Sequence, residues 1–129
     1  MKHQSMFFSL VVILLLSLLV SACGSKATTS PASGSSGDAA AGKTLFEGTC
    51  SACHGMDAKG LPNLGVDLTT STFVKSKSDT DLVAFLKVGR PGTDPASRTQ
   101  RTMPPKGGND TFTDTDLANI VAYLRTLQK

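Results

Sequence analysis

Apolar positions along the chain fall into blocks with different rhythms. The first runs from Met6 to Val20 almost without interruption, behind a short polar start at Lys2 and His3. At about fifteen residues it is shorter than the roughly 20 needed to span a bilayer as a helix, and it matches the hydrophobic region of a signal peptide. From Gly24 to Gly37 the residues are mostly Ser, Gly, Ala and Thr with one Pro, and apolar periodicity vanishes. Such a stretch buries too little surface to offset its ordering entropy, which predicts a flexible tether.

Helical spacing begins at Asp38. That residue is placed to cap a helix running through Ala41, Leu45, Phe46 and Thr49 into Cys50. A second helix is signalled by Ser78-Asp79-Thr80-Asp81, then Leu82, Val83, Phe85 and Leu86, with Gly89 as its stop. The third has the clearest pattern: Thr113 and Asp116 open it, and Leu117, Ile120, Val121, Leu124 and Leu127 recur at helical spacing. Arg125 and Lys129 suit the negative pole of its dipole. Two long connections, Gly55 to Lys77 and Gly89 to Phe112, read as irregular and rich in Gly and Pro. Connections of that length in a compact domain usually have a function.

Composition narrows the classes. The 129 residues leave room for one folded domain, and a formal charge of +3 lacks the dense basic stripe of a nucleic-acid binder. Six Phe, one Tyr and no Trp fill a small core poorly, and a bound planar cofactor would supply apolar volume. The sequence Val20-Ser21-Ala22-Cys23 resembles the lipobox of bacterial lipoprotein precursors, which implies cleavage before Cys23 and lipidation of its sulfur. Several acyl chains on one residue hold a protein durably to a membrane. The expected organisation is a lipoprotein signal peptide over 1–22, a lipidated Cys23 with its linker over 23–37, and a folded domain over 38–129. The chain is thus expected to be exported and tied to the outer face of a bacterial cytoplasmic membrane, or to the periplasmic side of a membrane.

The chemistry concentrates in Cys50-Ser51-Ala52-Cys53-His54. Two cysteines three apart at the end of a helix share a side, at a separation suited to the two vinyl groups of haem. The adjoining histidine is then placed to donate a ring nitrogen to the iron. Competing readings of the cysteine pair are weaker. A thioredoxin-like dithiol needs a strand before it and a helix opening at its first cysteine. A structural zinc site needs four ligands, and here only Cys50, Cys53 and His54 remain once residues 1–22 and Cys23 are set aside. A Cys50–Cys53 disulfide would be strained and would leave His54 unexplained. Covalent haem is the expected cofactor.

The same counting selects the second axial ligand. No other histidine remains in the mature chain, and the thioethers left are Met56 and Met103. Met56 lies two residues from His54 and cannot reach the opposite face of the ring. Met103 sits in Arg101-Thr102-Met103-Pro104-Pro105, where two prolines stiffen the backbone that would present its sulfur.

Together the haem motif, Met103-Pro104-Pro105 and the last amphipathic helix resemble a class I, single-haem cytochrome c, over Asp38 to Lys129. The resemblance implies an all-α fold of three main helices, with long loops wrapped around one covalent haem c. It implies that Gly42 and Phe46 on the first helix pack against Tyr123 on the last. It also implies that the backbone of Pro62 holds the other ring nitrogen of His54, a bond that would orient the ligand. Six-coordinate iron leaves no open position, so the expected function is outer-sphere single-electron transfer in a respiratory or related chain, with redox proteins as partners. The sequence around Arg90-Pro91-Gly92 and Met103 also resembles cytochrome domains of membrane respiratory assemblies, so a subunit of an oxidase or quinol-oxidising complex is expected beside a free shuttle. Arg90, Arg98, Arg101 and Lys106 place positive charge on the loop of Met103, where it could steer a partner or pair with haem carboxylates. A different class of function, a gas sensor or peroxidase-like enzyme, would require Met103 to dissociate.

Overall fold

The structure is a computed structural model and describes residues 37–129. The expected signal segment, Cys23 and all of the expected linker except Gly37 lie outside the described residues. Regular structure among the described residues is helical, with one isolated β-bridge between Arg90 and Met103.

Helix α1, Ala39–Leu45, starts where Asp38 accepts hydrogen bonds from the backbone N–H groups of Ala40 and Ala41, at 2.8 and 3.2 Å. It continues through a wider π-turn, Phe46–Cys50, into α2, Ser51–His54, which stops at Gly55 with φ 74°. Helix α4, Asp79–Val88, is capped by the Ser78 hydroxyl and ends at Gly89, whose φ of 72° suits a residue without Cβ. Helix α5, Asp114–Leu127, opens on a reciprocal capping box. Thr113 Oγ1 accepts from Asp116 N–H, and the Asp116 carboxylate accepts from Thr113 N–H.

The connection from Gly55 to Lys77 is not wholly irregular. It contains α3, Thr72–Ser76, capped by Ser71. A five-residue helix is too short to show an apolar stripe, so its formation rests on tertiary contacts. The Phe73 ring packs edge-on against Phe85 of α4 with centroids 4.9 Å apart. Arg125, in the last turn of α5, donates to Val74 O at 2.7 Å and to Lys77 O, carbonyls that α3 itself leaves free. Its Nε meets Asp79 at 2.7 Å, so one guanidinium ties α3, α4 and α5 together.

The core sits where α1 crosses α5. A Cβ on Gly42 would lie 1.8 Å from Asn119 O and 2.4 Å from Asn119 C, so the two backbones approach as only glycine permits. Phe46 then reaches Tyr123, with ring centroids 5.5 Å apart. Phe46, Leu117, Ile120 and Val121 are the largest fully buried side chains. Burying each contributes about 1.5–3 kcal/mol. The expected packing of Phe46 on Tyr123 is present, while Gly42 meets the backbone of Asn119 and Ile120, and together they fix the end of the helix that leads into the two cysteines.

Candidate haem site

The π-turn determines how Cys50 is presented. The N–H of Ser51 donates to Phe46 O, five residues back rather than four. The Ser51 hydroxyl donates to Glu47 O at 2.6 Å. One extra residue in the turn rotates the cysteine-bearing segment relative to the buried Phe46, and such bulges often mark functional positions. Cys50 emerges half-buried and Cys53 exposed.

Burial, with the neighbouring Cys53 adding to it, pushes the Cys50 thiol up to about 11. Reactive dithiols need the opposite shift, because the thiolate is the nucleophile. Nor do three or more His, Cys, Asp or Glu side chains gather to hold a metal ion among the described residues. A thiol shifted this way is a poor nucleophile, which weakens the dithiol reading. A thioether sulfur has no proton to lose, and burial does not penalise it.

His54 is oriented from behind. Its Nδ1 lies 3.0 Å from Val66 O. A carbonyl only accepts, so Nδ1 carries the proton and Nε2 keeps its lone pair. Burial lowers the pKa of His54, partly opposed by the bond to Val66, which leaves the neutral ring favoured. The acceptor implied by resemblance is Pro62, and the structure gives that bond to Val66 instead. The reason is the path of the loop. Leu61 N–H binds Cys53 O at 3.0 Å and Leu64 N–H binds Leu61 O at 3.1 Å, so Pro62 lies exposed on an outward turn. The chain returns beneath the ring at Gly65, where a Cβ would lie 2.4 Å from Cys53 O and 3.0 Å from His54 Nδ1. Only after that glycine can a carbonyl face the imidazole.

Val66 is held through the residues that follow it. Leu68 N–H binds Ala58 O at 2.8 Å. The Asp67 carboxylate accepts from the backbone and hydroxyl groups of Thr69 and Thr70. These bonds, led by the Thr69 hydroxyl, hold the Asp67 carboxyl below its usual range. Sequence reasoning does not single out Gly65, Val66 or Asp67. The signal present was an Asp with Thr-Thr two residues on, shortly after a glycine, a local turn signature.

Met103 arrives on the other long connection. Its backbone and that of Arg90 exchange two hydrogen bonds of 2.8 Å. A Cβ on Gly89 would lie 2.2 Å from Met103 O, so the strand of Met103 presses directly on the end of α4. Pro104 leads into a tight turn, Pro105–Gly108, in which Lys106 and Gly107 are left-handed with φ 53° and 69°. A Cβ on Gly107 would be 3.2 Å from Thr49 Cγ2 and 3.9 Å from Cys50 Sγ. The turn after Met103 thus lands beside the first cysteine, and the Met103 side chain packs on the core, partly buried. Of the four cations expected on this loop, two are engaged internally. Lys106 Nζ donates to Asp110 O at 3.2 Å and Phe112 O at 2.7 Å, and Arg90 is turned onto aromatic rings. Arg98 and Arg101 are both exposed, and neither forms an ion pair among the described residues.

The donor set fits a covalently held haem. Cys50 and Cys53 are close enough for one to raise the thiol pKa of the other, and the neutral imidazole of His54 keeps its Nε2 free for a metal.

Comparison with known proteins points to the same family of fold and cofactor. The family model for cytochrome c matches residues 39–128. Cytochrome c-555 of Chlorobaculum thiosulfatiphilum is 34% identical over 87 residues, covering 67% of this chain and 93% of that protein. Cytochrome c-554(547) of Halothiobacillus neapolitanus is 37% identical over 98 residues, covering 71% and 99%. The cbb3-type cytochrome c oxidase subunit FixP of Bradyrhizobium sp. (strain ORS 278) is 40% identical over 60 residues, 46% of this chain and 21% of that protein. The capped helices, the glycine crossing of α1 and α5 and the oriented histidine thus meet a family match along nearly all the described residues, and the chain belongs to the cytochrome c family as a class I monohaem member with covalently bound haem c and a role in haem electron transfer.

Proposed function

We propose that this chain is an exported, membrane-anchored carrier that passes single electrons by an outer-sphere route. In this reading the sulfurs of Cys50 and Cys53 form the thioethers, His54 Nε2 is the proximal ligand and Met103 the distal one. The haem supplies a one-electron iron couple. The observation that carries the reading is the His54 Nδ1 bond to Val66 O, which fixes a neutral imidazole with Nε2 free. The pinning of Met103 backbone to Arg90 supports the second ligand, since a ligand on a braced strand needs little rearrangement between oxidation states. A thioether ligand raises the reduction potential.

Cys23 would carry the lipid, and the linker to Gly37 would let the domain reach its partners. Arg98 and Arg101 are the loop cations left to steer an acidic redox partner. Similarity to the FixP oxidase subunits supports a respiratory setting, as a shuttle to such a complex or a subunit within one.

One pair of spectra tests the reading. Ferric protein should show the weak red absorption of an iron–methionine bond, Met103→Ala should lose it, and reduced wild type should take up carbon monoxide slowly. Rapid uptake would overturn the carrier reading and favour the gas-sensing or peroxidase-like one. A mature protein without acyl mass on Cys23, or still containing Met6, would refute the anchor.

A further inference from the structure

Arg90 is the loop cation whose side chain turns inward onto aromatic rings beside the expected distal ligand. Its guanidinium carbon lies 4.6 Å from the centroid of Phe73 and 4.9 Å from that of Phe85. Those rings belong to α3 and α4 and pack on each other. The same guanidinium donates through Nη1 to Ala96 O at 3.2 Å. Its Nε stands 3.5 Å from the Asp94 carboxylate, an ion pair too long to be a good hydrogen bond, and this buried N–H has no hydrogen-bond partner among the described residues. Through its backbone Arg90 holds Met103 in both directions. One residue therefore joins three things: the aromatic pair, the 91–102 loop, and the strand that presents the thioether.

We propose that Arg90 is the positioning residue for Met103, its guanidinium clamping the loop onto Phe73 and Phe85 so that the sulfur is held in place for the iron. The inference rests on Met103 being the distal ligand and goes beyond it, because ligation alone says nothing of what keeps the loop closed. The two backbone bonds would form with any residue at position 90 other than proline. The side chain makes the difference: it ties the 91–102 loop to α3 and α4, and without it the strand of Met103 is freer to lift with residue 90. A cation between two rings is held more tightly when shielded from water, and here four-fifths of the side chain is covered. Lysine would keep the charge over the rings but lack the planar fork that reaches Ala96 and Asp94.

The test is displacement of Met103 by imidazole in the ferric holoprotein, read as loss of the red iron–methionine band. In Arg90→Gln half-displacement should occur at about tenfold lower imidazole, the scale of one desolvated cation–aromatic contact. Arg90→Lys should fall between, and it keeps the test open if Arg90→Gln does not fold. Lys87→Gln removes the same charge from an exposed ion pair and should match wild type. An unchanged imidazole response in Arg90→Gln, even with a lowered melting temperature, would show a merely structural residue and overturn the clamp. An equal shift in Lys87→Gln would reduce the effect to net charge and overturn it too. A wild-type spectrum without the red band, or Met103→Ala with it, overturns the ligand assignment and the clamp together.

Discussion

Adding one methyl group at Gly42 should destabilise the protein, although glycine-to-alanine in a helix normally does the reverse. In an unobstructed helix the change favours folding by about 1 kcal/mol. At position 42 the new Cβ would stand 1.8 Å from Asn119 O, 2.4 Å from Asn119 C and 2.9 Å from Ile120 N. All three are backbone atoms of α5, so no side chain can swing aside. Ordinary contact begins near 3.4 Å, so the helices must part by more than a bond length. That movement pulls Phe46 from Tyr123 and opens the best-buried part of the core. Overpacking costs about 1–3 kcal/mol and sometimes more, and a clash between two backbones belongs at the upper end. Subtracting the propensity gain leaves a net loss of about 2 kcal/mol. For a domain of this size that lowers Tm by roughly 8–16 °C. Thermal unfolding of the holoprotein, monitored by circular dichroism and by haem absorbance, measures it. Gly48 is the internal control. A Cβ there meets nothing within 4 Å, so Gly48→Ala should leave Tm unchanged or raise it by a few degrees. A Gly42→Ala protein melting at or above wild type would refute the close crossing as the reason for the glycine.

Three further outcomes are expected. Phe46→Ala should cost about 3–5 kcal/mol in denaturant unfolding, because the ring is only 1% exposed and its neighbours cannot collapse around the gap. Gly65→Ala should push Val66 O away from His54, since its Cβ would lie 2.4 Å from Cys53 O. Losing that acceptor makes the imidazole a poorer electron donor, so the reduction potential should rise in a potentiometric titration, and an unchanged potential would count against the Val66 bond. Thr113→Ala removes the hydroxyl arm of the capping box and should cost about 1 kcal/mol. The Thr113 hydroxyl and N–H hold the Asp116 carboxyl below its ordinary 3.8. A depressed folded value stabilises the protein above the ordinary pKa, and that part is lost as pH falls through the folded one. Wild type should therefore lose stability more steeply than Thr113→Ala on acidification below about pH 4, as Tm against pH would show.

By itself the sequence determined those features that depend on short-range spacing. Cys50, Cys53 and His54 lie within about one helical turn, so their chemistry comes from their order. Asp38, Ser78, Gly89 and the Thr113–Asp116 pair cap helices through bonds spanning a few residues, and all of these caps form. The Phe46–Tyr123 packing beside a close helix crossing at Gly42 was also legible, because these residues lie on helices with clear signals and a glycine at a crossing has a steric meaning.

Tertiary structure decided the rest. Helix α3 exists because Phe73 finds Phe85 and because Arg125, some fifty residues away, caps its free carbonyls. The partner of His54 depends on where a loop returns, and Gly65 rather than Pro62 sets that point. Loop geometry is the sum of many weak local choices, so a proline in the right neighbourhood does not locate a carbonyl. The charges on the methionine loop show the same limit. Four cations look alike in sequence, yet Lys106 binds two carbonyls and Arg90 lies against two rings, while Arg98 and Arg101 stay exposed. Long-range packing, which no local pattern encodes, separates the exposed cations from those turned onto the protein's own carbonyls and rings.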